Sequence, residues 1–320
     1  MIDYKYAVER LISGAAPHQD MEQCSGGGEP STISPLSVTT NFLIDRGISW
    51  SPHLFSVFES GRDAGFVSDI VVHGSFGDFT QTRFSDIELT VVLNSSIECD
   101  VTQASKFRKW LTKDLNKLIF SIDPLQHHGA FFIWPSFANC YDEGVLPVAA
   151  YRDCWSCCGS SVSLVVKRNI KDCRNINEVR FRQTVESLLA AKTRFFRYGY
   201  SLYAIKRFLS NLFMLPVYRL QAKGMEINKR EALSLLEECA FPDSLISALQ
   251  KATDMRADWP ESSRALKTLR KAVIGGKIPQ GRIDNLICSG FRRKKIAADL
   301  RKNILPDVML ACKELSRLEI

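Results

Sequence analysis

The stretch that most constrains the fold of this 320-residue chain runs over residues 68–89 and reads SDIVVHGSFGDFTQTRFSDIEL. An apolar run at 70–73 ends at Gly74-Ser75, and a polar loop then leads to a second apolar run at 87–93. Short apolar runs bounded by Gly, Asp and Ser are typical of buried strands. The stretch therefore predicts two strands joined by a tight turn and a loop.

The other apolar residues predict further strands in the first half and only helices in the second. Residues 101–119 carry Phe107, Trp110 and Leu111 at helical spacing, and the spacing is helical throughout after residue 168. Further strands are expected at 129–134, 145–151 and 162–166, and further helices at 178–198, 201–213 (ending before Pro216), 229–239, 242–251, 262–273, 292–303 and 307–318.

This change in the spacing of apolar residues, from mixed strand and helix spacing to helical spacing alone, predicts an α+β protein with a boundary near residue 176. A domain with a small mixed sheet is expected at 1–176, including a flexible linker or loop at 13–35, and an all-helical domain at 177–320. Charge changes at the same place, with 15 Lys+Arg against 20 Asp+Glu before the boundary and 27 against 15 after it. An acidic half followed by a basic half suits metal ions on one side and phosphates on the other.

The sequence also predicts a cytoplasmic protein that does not enter a membrane. No window approaches the roughly 18–20 unbroken apolar residues of a membrane span. Asp3 and Glu9 stand where a secretion signal would have basic and then apolar residues. The ten cysteines of the chain are therefore expected to be reduced thiols.

Three of these cysteines form a cluster, RDCWSCCGS, that resembles half of a zinc site. The cluster contains Cys154, Cys157 and Cys158, and Cys140 and Cys173 are the nearest further cysteines. Their spacing does not match the two ligand pairs of a standard structural zinc site. Ordinary thiols are the favoured interpretation, and zinc binding stays open.

Two acidic residues, one just before the second apolar run and one inside it, would lie on one face of a strand. Because side chains alternate along a strand, Asp86, Glu88 and Thr90 are expected to share a face. Two neighbouring carboxylates repel each other unless cations neutralise them. A pair of Mg²⁺ or Mn²⁺ ions would do so, and two such ions promote in-line phosphoryl displacement.

Gly74-Ser75 is placed to hold a phosphate where the first strand ends. A glycine lets the backbone approach a phosphate closely, and the Ser75 hydroxyl and following N–H groups can donate to it. The GxxxxGK[ST] pattern of a Walker-type phosphate loop is absent from the sequence.

Together these features resemble the DNA polymerase β nucleotidyltransferase superfamily. Its pattern is an apolar strand, Gly-Ser or Gly-Gly, roughly ten residues, and then Asp-apolar-Asp/Glu-apolar in a strand. Here Gly74-Ser75 is followed by ten residues and by Asp86-Ile87-Glu88-Leu89, so the close resemblance covers about 25 residues. It implies that Asp86 and Glu88 are catalytic ligands of two metal ions, and that Gly74 and Ser75 bind the phosphates of a nucleoside triphosphate.

The resemblance also implies a third acidic group and a cation from the helical domain. Family members usually supply the acid from a neighbouring strand. The candidates here are Asp123, held extended by the following proline, and His128, which would act as a general base or support a ligand. Lys206, with Tyr203 three residues before it, is the candidate for a contact with the nucleotide.

The expected activity is transfer of a nucleoside monophosphate to a hydroxyl group with release of pyrophosphate. The basic half favours template-independent addition to a nucleic acid, or synthesis of an oligonucleotide, for example in bacterial defence or stress signalling. The basic run at 291–303 is a candidate for holding a nucleic-acid strand or a protein partner. The alternatives are adenylylation of a small molecule, a protein or tRNA, and a nucleotide-binding module with weak or no catalysis.

Overall fold

The computed structural model describes residues 31–94, 97, 101–126, 129–134, 146–159, 164–166, 170–260 and 290–317. It confirms the predicted α+β class, with a small mixed sheet and a helical C-terminal region. The chain divides into two compact units, each built from separated segments. The sheet unit comprises Met1–Gly77, Ile87–Leu118 and Gln126–Asn169, and the helical unit comprises Asp78–Asp86, Ile119–Leu125 and Ile170–Ile320.

Seven strands are described, all in the sheet unit. They are β1 (Ser31–Ile33), β2 (Leu36–Ser37), β3 (Val67–His73), β4 (Glu88–Leu93), β5 (Phe131–Ile133), β6 (Trp155–Ser156) and β7 (Leu164–Val166). Five of them form one sheet in the order β2-β6-β3-β4-β5, and β1 pairs with β7 separately.

The centre of the sheet is the antiparallel pair β3 and β4, which are the two strands expected from the opening stretch. Nearly every residue of both strands is buried, as their Val- and Ile-rich sequences predict for interior strands. The register pairs Val71 with Thr90 and His73 with Glu88. This pairing brings the end of β3, where Gly74 follows, beside the start of β4.

Four helices accompany the strands along the first part of the chain. They are α1 (Thr40–Asp45), α2 (Ser51–Asp63), α3 (Val101–Trp110) and α4 (Asn116–Ile122). A wider π-helical turn at Leu111–Leu115 joins α3 to α4. The helix predicted at 101–119 is therefore confirmed. Trp110 is buried on it and donates from Nε1 to the Val57 carbonyl oxygen of α2 at 3.2 Å.

The helical unit packs six described helices around one apolar core. They are α5 (Ile170–Tyr198), α6 (Leu202–Ala222), α7 (Lys229–Ser234), α8 (Asp243–Ala257), α9 (Gly290–Asp299) and α10 (Leu305–Leu315). Side chains such as Leu188, Leu209 and Val308 are completely buried in this core. The Ser201 hydroxyl caps α6, and Asn228 with Glu231 forms a capping box at α7.

Helix α6 continues through Pro216, where the sequence predicted an end. A proline inside a helix removes one backbone hydrogen bond and costs about 3 kcal/mol. Pro216 itself and its neighbours Leu215 and Val217 are buried in the core of the helical unit. Burial of this apolar segment offsets the penalty, so the helix extends to Ala222.

The predicted strand at 145–151 is wrong in its described part. Val148–Tyr151 forms a 3₁₀ turn after Pro147 instead. Its residues Val148, Ala149 and Tyr151 are buried, and the apolar pattern of a short buried segment does not distinguish a strand from a helical turn. The short strand β6, inside the cysteine cluster, was not predicted. The predicted helix at 262–273 lies outside the described residues.

None of the helices in the described part of the chain is both long enough and apolar enough to cross a membrane.

Candidate functional site

Gly74 forms a left-handed turn at the end of β3 that only glycine adopts without strain. Its φ is 65°, and the N–H of Gly77 donates to its carbonyl oxygen at 2.9 Å to close the turn. A Cβ atom at this position would collide with Oε2 of Glu88. Glycine therefore serves two purposes here, since it makes the turn and leaves room for the Glu88 carboxylate.

Glu88 is the first residue of β4 and keeps part of its carboxylate accessible. Its side chain is 26% exposed, whereas the next five residues of the strand are buried. The predicted phosphate-binding turn and the predicted metal ligand thus meet within the sheet unit. Ser75 follows Gly74 in the same turn and is partly buried.

Gln126 fixes the backbone of the residue that separates the two predicted metal ligands. Its buried side-chain amide accepts from the Ile87 N–H at 3.2 Å and donates to the Ile87 carbonyl oxygen at 2.7 Å. Ile87 itself is completely buried. Sequence reasoning missed this clamp, because a single glutamine outside a motif does not indicate which backbone groups it will bind.

Asp86 is the last residue of the segment Asp78–Asp86, which belongs to the helical unit. Its side chain is part of a buried cluster in that unit. The ammonium group of Lys206 contacts both Oδ1 of Asp86 and Oδ2 of Asp123. Lys206 is 1% exposed and Asp86 7% exposed, so these charges are largely removed from water. We refer to Asp86, Asp123 and Lys206 as the carboxylate–lysine cluster.

Local structure explains how the side chains of Asp123 and Lys206 come to be part of this cluster. Asp123 follows the last residue of α4, and its Oδ1 accepts from the N–H of Leu125 at 2.9 Å. Lys206 lies on the buried face of α6 beside Ile205 and Leu209. A lysine on such a face is stable only when acids pair with it.

The cluster holds two acids against one ammonium group, and its pKa values show the imbalance. Burial raises the pKa of Asp123 to about 7, with Lys206 opposing the shift and Asp86 adding to it. Burial lowers the pKa of Lys206, but the attraction of Asp123 and Asp86 outweighs this effect and raises it overall. Lys206 is therefore charged, and Asp123 exchanges its proton near neutral pH.

The raised pKa of Asp123 predicts a pH-dependent loss of stability. The unfolded chain loses this proton near the ordinary value of 3.8, whereas the folded chain keeps it until about pH 7. Between these values the folded state binds more protons, so the free energy of unfolding falls as pH rises, by up to about 1.4 kcal/mol per pH unit. Urea unfolding between pH 4 and pH 7 measures this slope.

Asp123→Asn is the matched variant for that measurement, because the amide cannot titrate. Taking the difference in unfolding free energy between the two proteins removes the contribution of the other titrating groups. This difference is expected to change between pH 4 and pH 7. A difference that stays constant with pH would show that Asp123 titrates normally in the folded protein.

One aromatic side chain, that of Phe84, lies against the lysine end of the cluster, and Arg256 lies over the same ring. Phe84 lies 5.4 Å from the Lys206 ammonium, measured to the ring centre, and makes an edge contact with Trp259 at 4.9 Å. The guanidinium of Arg256 lies over Phe84 at 5.0 Å and over Phe213 at 4.6 Å. Burial lowers the pKa of Arg256, and the charge of Asp86 partly opposes this shift.

The structure thus gathers the predicted residues into two groups. Gly74, Ser75 and Glu88 meet in the sheet unit, and Asp86, Asp123 and Lys206 meet in the helical unit. Asp86 precedes β4, so the expectation that it shares a strand face with Glu88 is wrong. His128 lies outside the described residues. Phe84 and Arg256 were missed by sequence reasoning, since aromatic and basic residues on helices and loops are common.

The donor atoms of the cluster are of the kind that Mg²⁺ and Mn²⁺ prefer. Carboxylate oxygens of Asp86 and Asp123 already converge on one cation, the Lys206 ammonium, and oxygen donors suit these ions. In the described part of the chain, no three His, Cys, Asp or Glu side chains are grouped as a ready-made metal site. The residues fit a divalent ion by chemistry, in competition with the ammonium group.

Two thiols of the cysteine cluster, those of Cys154 and Cys157, are held in their protonated form. Burial raises the pKa of Cys154 to about 12 and that of Cys157 well above its ordinary value. Metal ligation and nucleophilic attack require the thiolate. The buried Asp69 holds the adjoining loop by accepting from the Ser156 hydroxyl and from the Cys158 N–H at 2.9 Å. Cys140 lies outside the described residues.

Many cations of the described helices α5, α6 and α9 are exposed, whereas Lys206 is buried and Arg256 on α8 is partly buried. Arg182, Lys192, Arg194 and Arg197 are exposed on α5, and Arg207 is exposed on α6. In the run predicted at 291–303, Lys294, Lys295, Arg301 and Lys302 are exposed. Exposed cations of this density attract polyanions.

Comparison of the chain with models of protein families, with curated proteins and with solved structures found no match.

Proposed function

We propose that this protein is a metal-dependent nucleotidyltransferase with a polymerase-β-like fold. It transfers a nucleoside monophosphate from an NTP or dNTP to a hydroxyl group and releases pyrophosphate. The observation that carries this proposal is the carboxylate–lysine cluster, in which Asp86 and Asp123 are buried together around a single cation. Buried acids kept close together at such a cost in stability are characteristic of functional sites.

The proposed metal ligands are Asp86 and Glu88, with Asp123 as the third acid. Asp86 and Glu88 are two residues apart, so covalent geometry keeps their Cα atoms within about 7 Å. The Gln126 amide holds the intervening Ile87 at both its N–H and its carbonyl oxygen. Two divalent ions bound there would activate the acceptor hydroxyl and neutralise the triphosphate and the leaving pyrophosphate.

The chain supplies the remaining functions of the reaction through its own groups. The Gly74-Ser75 turn offers N–H groups and a hydroxyl to the phosphates. Asp123, whose carboxylate shares the Lys206 ammonium with Asp86, is the group proposed to take the proton from the acceptor hydroxyl. The Lys206 ammonium, which contacts both carboxylates, would be available to a triphosphate oxygen if metal ions took its place there.

The exposed cations of the helical unit support a nucleic-acid or oligonucleotide acceptor. Template-independent addition to a strand, or synthesis of an oligonucleotide signal, uses this surface to hold phosphates. Adenylylation of a small molecule, a protein or tRNA uses the same chemistry on another hydroxyl group. The acceptor is therefore identified by finding which product carries the nucleotide.

Incubation with labelled nucleotides tests the proposal. The full-length protein is mixed with each NTP and dNTP, Mg²⁺ or Mn²⁺ and a single-stranded oligonucleotide, without template. We expect a ladder of extended products and release of pyrophosphate. One label fixed per small molecule, protein or tRNA would identify the other acceptor class. Nucleotide binding without pyrophosphate release in any of these mixtures would contradict the enzymatic proposal.

A further inference from the structure

His73 is a buried histidine that the catalytic assignments leave unused. It is the last residue of β3, directly before Gly74, and is completely buried. Its Nε2 lies 3.0 Å from Oγ1 of Thr90, and the same oxygen lies 3.0 Å from the hydroxyl of Tyr151. The three side chains form a continuous chain of hydrogen bonds inside the sheet unit.

The other ring nitrogen of His73 is directed toward the Glu88 carboxylate. Nδ1 is buried and has no hydrogen-bond partner among the described residues. It lies 3.7 Å from Oε2 of Glu88, the residue opposite it in the sheet. This distance is too long for a hydrogen bond, and a shift of about 0.8 Å brings the atoms into range. A buried imidazole nitrogen without a partner requires an explanation.

The direction of the hydrogen bonds follows from Glu88. An ionised carboxylate only accepts, so Nδ1 must carry a proton in order to interact with it. In neutral imidazole Nε2 is then an acceptor, and the Thr90 hydroxyl must donate to it. Thr90 has no second proton, so the Tyr151 hydroxyl donates to Thr90. Each donor is thereby matched to one acceptor.

We infer that His73 is a positioning residue that holds the Glu88 carboxylate through Nδ1–H. This inference rests on the proposed role of Glu88 as a metal ligand. The Gly74 turn leaves space for the carboxylate, and His73 sets where in that space its oxygens lie. Removal of a group that orients a metal ligand typically weakens metal binding about 10–100-fold.

The tautomer of His73 tests the inference without any substitution. Full-length protein labelled with ¹⁵N-histidine gives two-bond nitrogen–proton correlations that distinguish Nδ1–H from Nε2–H. The chain has five histidines, and the spectrum of His73→Asn assigns the signal of His73. We expect the Nδ1–H tautomer, with a reduced share of it in Tyr151→Phe, which loses the hydroxyl that donates to Thr90. An Nε2–H tautomer in the wild-type protein would overturn the inference.

Mn²⁺ binding, measured by electron paramagnetic resonance on the full-length protein, provides the second test. The side-chain nitrogen of asparagine lies where Nδ1 lies, and that of glutamine lies near Nε2. We therefore expect His73→Asn to bind Mn²⁺ nearly as the wild type does, and His73→Gln to bind it about 10–100-fold more weakly. A packing role alone would give no such difference between the two amides.

Glu88→Gln separates failure of this inference from failure of the proposed function. If the wild-type protein binds Mn²⁺, Glu88→Gln weakens the binding and the two His73 variants bind equally, the positioning role is wrong and the metal site stands. If the wild type does not bind Mn²⁺, or Glu88→Gln leaves binding unchanged, the metal assignment of Glu88 fails and the inference fails with it.

Discussion

Lys206→Met is expected to lower the free energy of unfolding of the metal-free protein by about 3–5 kcal/mol. The substitution keeps most of the side-chain volume and removes the charge that Asp86 and Asp123 share. Two buried carboxyl groups would then face each other with no cation between them, and at neutral pH at least one of them would have to take up a proton. Urea unfolding at pH 7 with a chelator present measures the effect.

Lys251→Met is the matched control, because Lys251 also pairs with an aspartate in the helical unit. Its Nζ lies 2.8 Å from Oδ2 of Asp307, but the two side chains are 44% and 32% exposed. Exposed pairs of this kind contribute at most about 1 kcal/mol. Equal losses of stability in the two variants would show that the Lys206 cluster is not a buried ion pair.

Lys206→Met also distinguishes a metal-binding cluster from a purely structural one. Without the ammonium group, the two carboxylates have no competitor for a divalent cation. Mn²⁺ is therefore expected to raise the melting temperature of Lys206→Met more than that of the wild type. Lys206→Met combined with Asp86→Asn should recover part of the lost stability, since only one acid is left. A melting temperature of Lys206→Met that does not respond to Mn²⁺ would favour a structural cluster.

Asp86→Asn is expected to reduce nucleotidyl transfer by at least about 100-fold, a typical effect of removing one electrostatic group at a reaction centre. Its effect on stability should be only about 1 kcal/mol, because Lys206 keeps Asp123 as a partner and the amide has the shape of the carboxylate. Pyrophosphate release and urea unfolding of the same preparation measure the two effects together.

Asp78→Asn is the control for this substitution, because Asp78 lies in the same segment but outside the cluster. Its Oδ2 accepts from the Arg230 guanidinium at 2.7 Å, and the arginine side chain is 64% exposed. We expect its transfer rate to match the wild type. Transfer that survives Asp86→Asn would exclude Asp86 as a catalytic metal ligand, and a large loss of stability would assign it to the fold instead.

The sheet and its turn were predictable because their signals are local. The apolar runs that became β3 and β4 are bounded by polar and glycine residues within the same stretch of sequence. Gly74 was recognisable because a left-handed turn at a strand end requires glycine. The two strands predicted on either side of the loop are neighbours in the sheet, where His73 pairs with Glu88.

Other parts of the fold depended on packing and were not predictable. The residues near Pro216 do not indicate that α6 continues past it. The helix continues because the residues around the proline are buried. Val148–Tyr151 was predicted as part of a strand but forms a 3₁₀ turn with buried apolar side chains, because the apolar pattern of so short a segment does not distinguish the two. The start of β4 at Glu88 also separated Asp86 from the strand on which its face was predicted.

By itself, the sequence determined the α+β class, the two central strands, the glycine turn and the spacing of Asp86 and Glu88. Only the tertiary structure showed that Asp86, Asp123 and Lys206 share one buried cluster, and that His73 faces Glu88. The physical reason is that the period of apolar residues reveals which face of an element is buried, but not which element it meets. The partner of a buried charge is therefore decided by packing between segments that are distant in the sequence.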